Sequence, residues 1–276
     1  MPNPPIPPTV RSFAASTRPA AAPTAIITTP KTDDTKKVFF TIANKGGVGK
    51  TVLARALLDY CLAKNIDIRA FDTDKMVCQL QQYYGDRVHK FDIKDPAETA
   101  LLIDALDDFG NANLLFDLPG GVLPNLRQIF NSADCRPIGE TIAAQGYELN
   151  LLIPITPFSA SIQSVRDLID QFGPTAKYHV FKQVSFIAGS VKTFDLWETV
   201  NLFDPAELEQ DFAVRHGANV YEMPELAANV LARLDVCNVP FTTAKDMPSN
   251  RFWTTSHRGN VGHWLDKVYA MLAQIV

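Results

Sequence analysis

Lys45-Gly46-Gly47-Val48-Gly49-Lys50-Thr51 is the stretch from which the rest of the chain is best read. Its closely spaced glycines let backbone N–H groups converge on a bound anion, and a helix beginning just behind them adds a favourable partial positive charge. The flanks have the form such a loop needs. Ahead of it, Val38-Phe39-Phe40-Thr41-Ile42 is a β-branched and aromatic run that predicts a buried strand. Behind it, from Thr51 to Lys64, Leu53, Leu57, Leu58 and Cys61 recur at helical spacing. Strand, glycine loop and helix predict a nucleotide phosphate site built on Gly46, Gly47, Val48, Gly49 and Lys50. Lys50 is expected to reach the β- and γ-phosphates, and the Thr51 hydroxyl to ligate Mg²⁺. A glycine-rich turn that only caps a helix is the ordinary alternative, and the flanking pattern argues against it.

Two later segments end an apolar run in a carboxylate. Ile66-Asp67-Ile68-Arg69-Ala70-Phe71-Asp72-Thr73-Asp74 reads as a strand closing on two aspartates. A carboxylate near a γ-phosphate positions the attacking water or helps to organise Mg²⁺; a pair of exposed turn aspartates is the plainer alternative. Asn113-Leu114-Leu115-Phe116-Asp117-Leu118-Pro119-Gly120-Gly121 is a second such strand, about 65 residues beyond the glycine loop. It has the Walker B form. Asp117 is expected to hold Mg²⁺ through a water, and the Gly120 N–H to face the γ-phosphate.

The heptapeptide resembles the loop of the ParA/MinD family of deviant-Walker ATPases, which reads KGGxGKT. Asn44 stands where the common form of the loop has glycine, and the Gly46-Gly47 pair is expected to supply the unusual dihedrals instead. The resemblance implies that Lys45 crosses to the phosphates of a partner subunit, so that the active species is a homodimer sandwiching ATP. It gives Asp72 and Asp74 the D-x-D places at the end of the family's second strand, with Asp74 hydrolytic and Asp72 in support. Lys75 follows where the family usually has proline. Leu152-Ile153-Pro154-Ile155-Thr156-Pro157 resembles its fourth core strand and the loop after it, with Ser159 as a cap for a helix beginning near Ile162. Ala218-Asn219-Val220-Tyr221-Glu222-Met223-Pro224-Glu225-Leu226 resembles its last strand and the loop beside the adenine, where Pro224 would touch the base. Val184-Ser185-Phe186-Ile187 runs into Ala188-Gly189, where many relatives carry a base-reading asparagine.

The implied activity is a slow, partner-stimulated, Mg²⁺-dependent ATPase that dimerises on ATP, serving plasmid or chromosome partition or the positioning of a cargo. Two other readings stand beside it: an accessory ATPase of a conjugation or secretion assembly, and a non-hydrolysing nucleotide-binding scaffold. A metal-insertion or electron-transfer ATPase is disfavoured, because Cys61, Cys78, Cys135 and Cys237 form no C-x-x-C or C-x-C pair.

The remaining features set the frame. A chain of 276 residues with 46% hydrophobic content accommodates one sizeable α/β domain. Residues 1–36 hold eight of the 19 prolines with no hydrophobic period, and are expected to form a disordered tail ahead of a P-loop ATPase domain at 37–276. Strands are expected near 38–43, 66–71, 113–117, 148–153, 183–188 and 219–222 with helices between, giving a mainly parallel sheet covered on both faces. The start lacks a secretory layout and no apolar run is long enough to span a bilayer, so a cytoplasmic protein is expected.

Charge bears on partners. Arg11, Arg18, Lys31 and Lys36 against Asp33 and Asp34 leave the tail at +2, so the body carries −6 within a total of −4. An acidic body does not suit broad nucleic-acid binding. Non-specific DNA remains a candidate partner through one basic segment, Lys245, Arg251, His257 and Arg258 with Phe252 and Trp253 among them, for which a solvated loop is the favoured reading. The protein partner is unknown. From Val261 to Val276, Trp264, Leu265, Val268, Tyr269, Leu272 and Ile275 share one helical face; with only Lys267 beside Asp266 on the polar side, packing on the body is favoured over membrane docking.

Overall fold

A computed structural model describes residues 35–156, 158–183 and 219–276. Among the described residues seven strands form one sheet, and every pair in it is parallel. They are β1 (Lys36–Thr41), β2 (Ile68–Asp72), β3 (Val88–Lys90), β4 (Asn113–Asp117), β5 (Tyr147–Ile155), β6 (Lys177–Gln183) and β7 (Asn219–Met223), in the spatial order β3-β2-β4-β1-β5-β6-β7. The helices are α1 (Lys50–Ala63), α2 (Gln79–Tyr84), α3 (Leu101–Asp108), α4 (Leu123–Ile129), α5 (Arg136–Ala144), α6 (Ser159–Phe172), α7 (Ala228–Cys237), α8 (Phe241–Asp246) and α9 (Thr255–Leu272). This is the doubly covered parallel sheet of a P-loop NTPase-like α/β fold.

The alternation of side chains along β1 shows how both faces are filled. Phe39 belongs to the core under α1, α7, α8 and α9, with Leu115, Leu152 and Phe181 from neighbouring strands. Phe40 turns the other way, edge-on to Phe116 with ring centroids 5.5 Å apart, and Phe116 in turn stacks on Phe71 at 4.6 Å. The apolar stripe of the C-terminal helix is spent inside the molecule. Trp264, Leu265, Val268 and Leu272 of α9 are all buried, and the Phe241 ring of α8 meets Trp264 at 4.9 Å. Among the described residues no helix is long and apolar enough to cross a membrane.

Four points of the expected element pattern need correction. The edge strand β3 was not anticipated: three residues, Val88-His89-Lys90, are too few to show a period, and pairing with β2 alone makes them a strand. The strand expected at 183–188 is β6, at Lys177–Gln183. Its lysines, histidine and glutamine hide a segment that tertiary packing buries almost entirely; residues 184–188 lie outside the described ones. The helix after β5 starts at Ser159 rather than Ile162, with Phe158 at the N-cap position, so Ser159 is not its cap. It is the Ser161 hydroxyl that accepts a local N–H, that of Thr156, at 3.0 Å. At the other end β1 begins at Lys36, one residue inside the stretch expected as tail.

The basic segment near the C-terminus is largely engaged in holding itself together. Trp253 is fully buried and donates its indole N–H to the Ala244 carbonyl at 2.8 Å. His257 and Thr254 form a reciprocal capping box at the start of α9, and Arg258 Nε donates to the Lys245 carbonyl at 3.0 Å.

Candidate functional site

The glycine loop leaves the carboxyl end of β1 and enters α1, which places it at the edge of the sheet where ligands of open α/β sheets bind. The left-handed conformations fall at Gly47 (φ 73) and Gly49 (φ 97), the latter at the N-cap of α1. Gly46 does not share them, so the work expected of the Gly46-Gly47 pair is done by Gly47 and Gly49. Val48, 4% exposed, pins the crest of the loop to the core. Asn44 explains why this loop dispenses with a glycine at its root. Its N–H donates to Ser164 Oγ at 3.0 Å, and its side-chain amide donates to Asp167 Oδ2 at 3.1 Å, tying the loop to α6.

A cleft of about 300 Å³ opens above the loop. It gathers Gly46, Gly47, Gly49, Lys50 and Thr51 from the loop, Asp72 and Asp74 from the end of β2, and Asp117 and Gly120 from the end of β4. Three segments widely separated in sequence meet because β2, β4 and β1 are neighbours in the sheet. Lys45 is exposed and does not line this cleft, nor does Pro224.

Lys50 is 8% exposed and donates its ammonium to the Lys45 carbonyl at 3.0 Å. Burial lowers its pKa, while Asp117 and Asp74 hold it up. Asp117 is 6% exposed. It accepts the Thr41 hydroxyl at 2.6 Å and is also hydrogen-bonded to the Thr51 side chain. Burial pushes its carboxyl up to about 6, against the downward pull of the two threonines and Lys50. A carboxylate desolvated to this degree, beside a threonine hydroxyl, is a pair of hard oxygen donors short of positive charge. The residues therefore fit an oxygen-liganded divalent cation such as Mg²⁺.

Asp72 and Asp74 differ sharply. Asp72, 3% exposed, accepts the N–H groups of Leu80 at 2.8 Å and Gln81 at 3.2 Å, and that of Asp74 at 3.3 Å. Burial raises its pKa, and those three N–H groups oppose the rise. Its oxygens are committed to the backbone, which is a supporting role. Asp74 is half-buried in the cleft, and among the described residues its carboxylate accepts only a local N–H, that of Met76, at 3.1 Å. Lys75 pairs with Glu98. Beyond it, Met76 is 90% and Val77 55% exposed. Gly120 comes so close to the loop that a Cβ on it would sit 3.1 Å from the Gly46 nitrogen.

A narrow pocket shares Val52 with the cleft and is walled by Gln183, Met223, Pro224, Leu226, Leu231 and Trp264. Pro224 is fixed there by its carbonyl, which accepts the Trp264 indole N–H at 2.8 Å. Gln183 ends β6, is 1% exposed, and its side-chain Nε2 has no hydrogen-bond partner among the described residues. It is the residue that reading the sequence missed. Placing the strand six residues too late directed attention to Ala188-Gly189, which lie outside the described residues. A glutamine closing a strand of this sheet was the available signal.

The four cysteines, Cys61, Cys78, Cys135 and Cys237, form no disulfide among the described residues. Cys61 and Cys135 are buried, with pKa pushed up to about 12 by burial. Among the described residues no group of three or more His, Cys, Asp or Glu is arranged to hold a metal.

No family model matches the chain, and a search of curated proteins gives no match. Solved structures do resemble it. The MinD cell division protein of Aquifex aeolicus is 13% identical, with a TM-score of 0.44 over 83% of this chain and 97% of that one. A plasmid partition protein from Borrelia burgdorferi is 10% identical, with a TM-score of 0.46 over 88% of this chain and 100% of that one. A nucleotide-binding protein from Archaeoglobus fulgidus in complex with ADP is 13% identical, with a TM-score of 0.42 over 73% and 86%. At such identities the likeness concerns the path of the chain, and function has to be read from the cleft itself.

Proposed function

We propose that this chain is a Mg²⁺-dependent ATPase switch of the ParA/MinD type, which pairs around ATP and separates after hydrolysis. One observation carries the reading: Lys50, Thr51, Asp74, Asp117 and Gly120 line a single cleft over a loop whose glycines turn at Gly47 and Gly49.

Lys50 exchanges the Lys45 carbonyl for β- and γ-phosphate oxygens, and the N–H groups at the start of α1 complete the cradle. Thr51 and Asp117 are the residues that would hold Mg²⁺, which when bound neutralises charge on the phosphates. Asp74, whose carboxylate is engaged among the described residues only by its own loop, orients the attacking water; Asp72 holds that loop in place. Gly120 presents its N–H to the γ-phosphate. Lys45, exposed beside the cleft, reaches the phosphates bound to a partner copy and stabilises charge there. Pro224 flanks the base, and the Gln183 amide, without a partner among the described residues, offers the base a donor. The residues ahead of β1, which opens at Lys36, serve as a tail before the ATPase domain.

The cycle transforms no metabolite; its output is a surface that changes with the nucleotide. The process proposed for it is plasmid or chromosome partition, or the positioning of a cargo in the cytoplasm. The acidic body, at −6 outside the tail, favours a second use of the same cycle, as an accessory ATPase of a conjugation or secretion assembly acting through protein contacts. Binding to non-specific double-stranded DNA with ATP, with ADP and without nucleotide decides between them. Binding with ATP alone, lost in Lys50→Ala, supports partition. Nucleotide binding without DNA binding in any state supports the protein-facing use. Absence of phosphate release, with Asp74→Ala no different from the parent, would reduce the protein to a non-hydrolysing scaffold and defeat the ATPase reading.

A further inference from the structure

The six-residue helix α2 is bonded to something outside itself at each end. At its N-terminal end the Asp72 carboxylate accepts the Leu80 and Gln81 N–H groups, and Gln79 lines the nucleotide cleft. At its C-terminal end the Tyr83 ring lies on the Arg55 guanidinium of α1, 3.3 Å from the ring centroid, while its hydroxyl donates to Asp235 of α7. Tyr84 donates its hydroxyl to the Arg55 carbonyl at 2.9 Å.

Arg55 is an unusual residue to find here. It is 3% exposed and makes no ion pair among the described residues. Asp59, one turn further along α1, spends both oxygens on Thr242 instead, at 2.9 and 2.8 Å. The guanidinium is held between the rings of Tyr83 and Phe241, the latter at 4.3 Å, and donates to the Val239 carbonyl at 3.3 Å. Its Nε has no partner among the described residues. An apolar side chain of similar volume would fill such a place at no greater cost. What the guanidinium adds is a flat cationic plate on which a tyrosine ring takes one pose.

We propose that Arg55 and Tyr83 are positioning residues for the Asp72–Asp74 segment, acting through α2. A helix of one and a half turns, about 9 Å long, has no joint to absorb a displacement of one end. Fixing Tyr83 therefore fixes the amides of Leu80 and Gln81, and with them the Asp72 carboxylate. Because Asp72 also accepts the Asp74 N–H, the clasp beyond α1 sets the place from which Asp74 works. Arg55 shares α1 with Lys50 and Thr51 of the phosphate cradle, so Tyr83→Leu, which leaves the sequence of α1 unaltered, separates an effect on the Asp72–Asp74 segment from one on the cradle. The catalytic half of this proposal rests on reading Asp74 as the carboxylate that orients water; the mechanical half does not.

The test compares the full chain with Arg55→Met, Tyr83→Leu and Tyr83→Phe by amide hydrogen exchange, binding of a fluorescent ATP analogue and steady-state hydrolysis. In Arg55→Met and Tyr83→Leu the Leu80 and Gln81 amides are expected to exchange about tenfold faster, with α9 unchanged, while kcat falls about tenfold at constant KM and analogue affinity. Tyr83→Phe, which keeps the ring on Arg55, falls between these variants and the parent. Variants that melt earlier yet keep parental exchange at Leu80 and Gln81 would overturn the proposal, as would acceleration spread equally over α9. If the parent itself hydrolyses nothing, the ATPase reading fails while the exchange data still decide the coupling.

Discussion

Replacing Asp117 by asparagine is expected to stabilise the nucleotide-free protein at neutral pH while abolishing its response to Mg²⁺ and ATP. The carboxyl is 6% exposed and burial lifts its pKa from 3.8 to about 6. A group whose pKa is raised on folding binds its proton more tightly in the native state. It therefore contributes nothing against folding below the unfolded pKa, and an increasing penalty as pH climbs from 3.8 through 6. Two pKa units correspond to about 3 kcal/mol, an upper figure because the chain relaxes around the charge. For a domain of this size that is a rise in melting temperature of roughly 6–12 °C. Asparagine keeps the shape and an acceptor for the Thr41 hydroxyl, so no cavity offsets the gain. Thermal unfolding of both proteins at pH 8 and pH 4, with and without Mg²⁺ and ATP, makes the measurement. The advantage of Asp117→Asn should be full at pH 8 and vanish near pH 4. At saturation with ligand at about 100 times its Kd, the parent should gain about 2.7 kcal/mol that the variant does not. A variant less stable than the parent at pH 8, or a difference that ignores pH, would refute the argument from desolvation.

Other consequences are accessible to simple experiments. Gly120→Ala places a methyl 3.1 Å from the Gly46 nitrogen and 3.3 Å from the Lys45 carbonyl carbon, and is expected to cost about 1–3 kcal/mol and weaken nucleotide binding; titration with a fluorescent analogue reads both loop and affinity. Asn44→Ala removes the bond to Asp167 and should cost about 1 kcal/mol, seen in denaturant unfolding, with faster amide exchange through residues 45–49. His179 is buried with its pKa lowered to about 4 from 6.5, chiefly by desolvation. The unfolded chain takes up its proton first, so stability is complete above pH 6.5 and falls by up to about 3 kcal/mol as pH drops through 4; His179→Gln should flatten that part of the pH–stability curve.

The cleft was legible in the sequence because each contributor sits in a local pattern whose physics is short-range. Gly47 and Gly49 must be glycine to turn, Lys50 and Thr51 must open the helix, and Asp72, Asp74 and Asp117 close strands that are plainly apolar. Parallel pairing then brings the strand ends together whatever the intervening loops do. What was illegible depends on distant contacts. Nothing within Val88-His89-Lys90 announces a strand, since the bonds that make it one come from β2. The polar residues of β6 read as surface, although His179 is buried with its Nε2 2.9 Å from Asn150 Oδ1 and Gln183 is buried at the strand's end. Arg55 gave no signal, because one arginine in an amphipathic helix looks like any solvated one until the rings on either side of it are known.

The bond from Lys50 to the carbonyl of Lys45 has a consequence for signalling within the loop. The two lysines of the motif share one peptide unit: the first extends outward from it, and the second is parked on its oxygen. On the nucleotide reading proposed above, a phosphate that draws the second away leaves that oxygen without this donor, and the change falls at the root of the first. Under that reading, occupancy of the pocket is reported to the outer lysine through the one peptide unit they share. A message that short requires no rearrangement of the core, and a loop wired in this way can change its outward presentation as quickly as the ligand arrives.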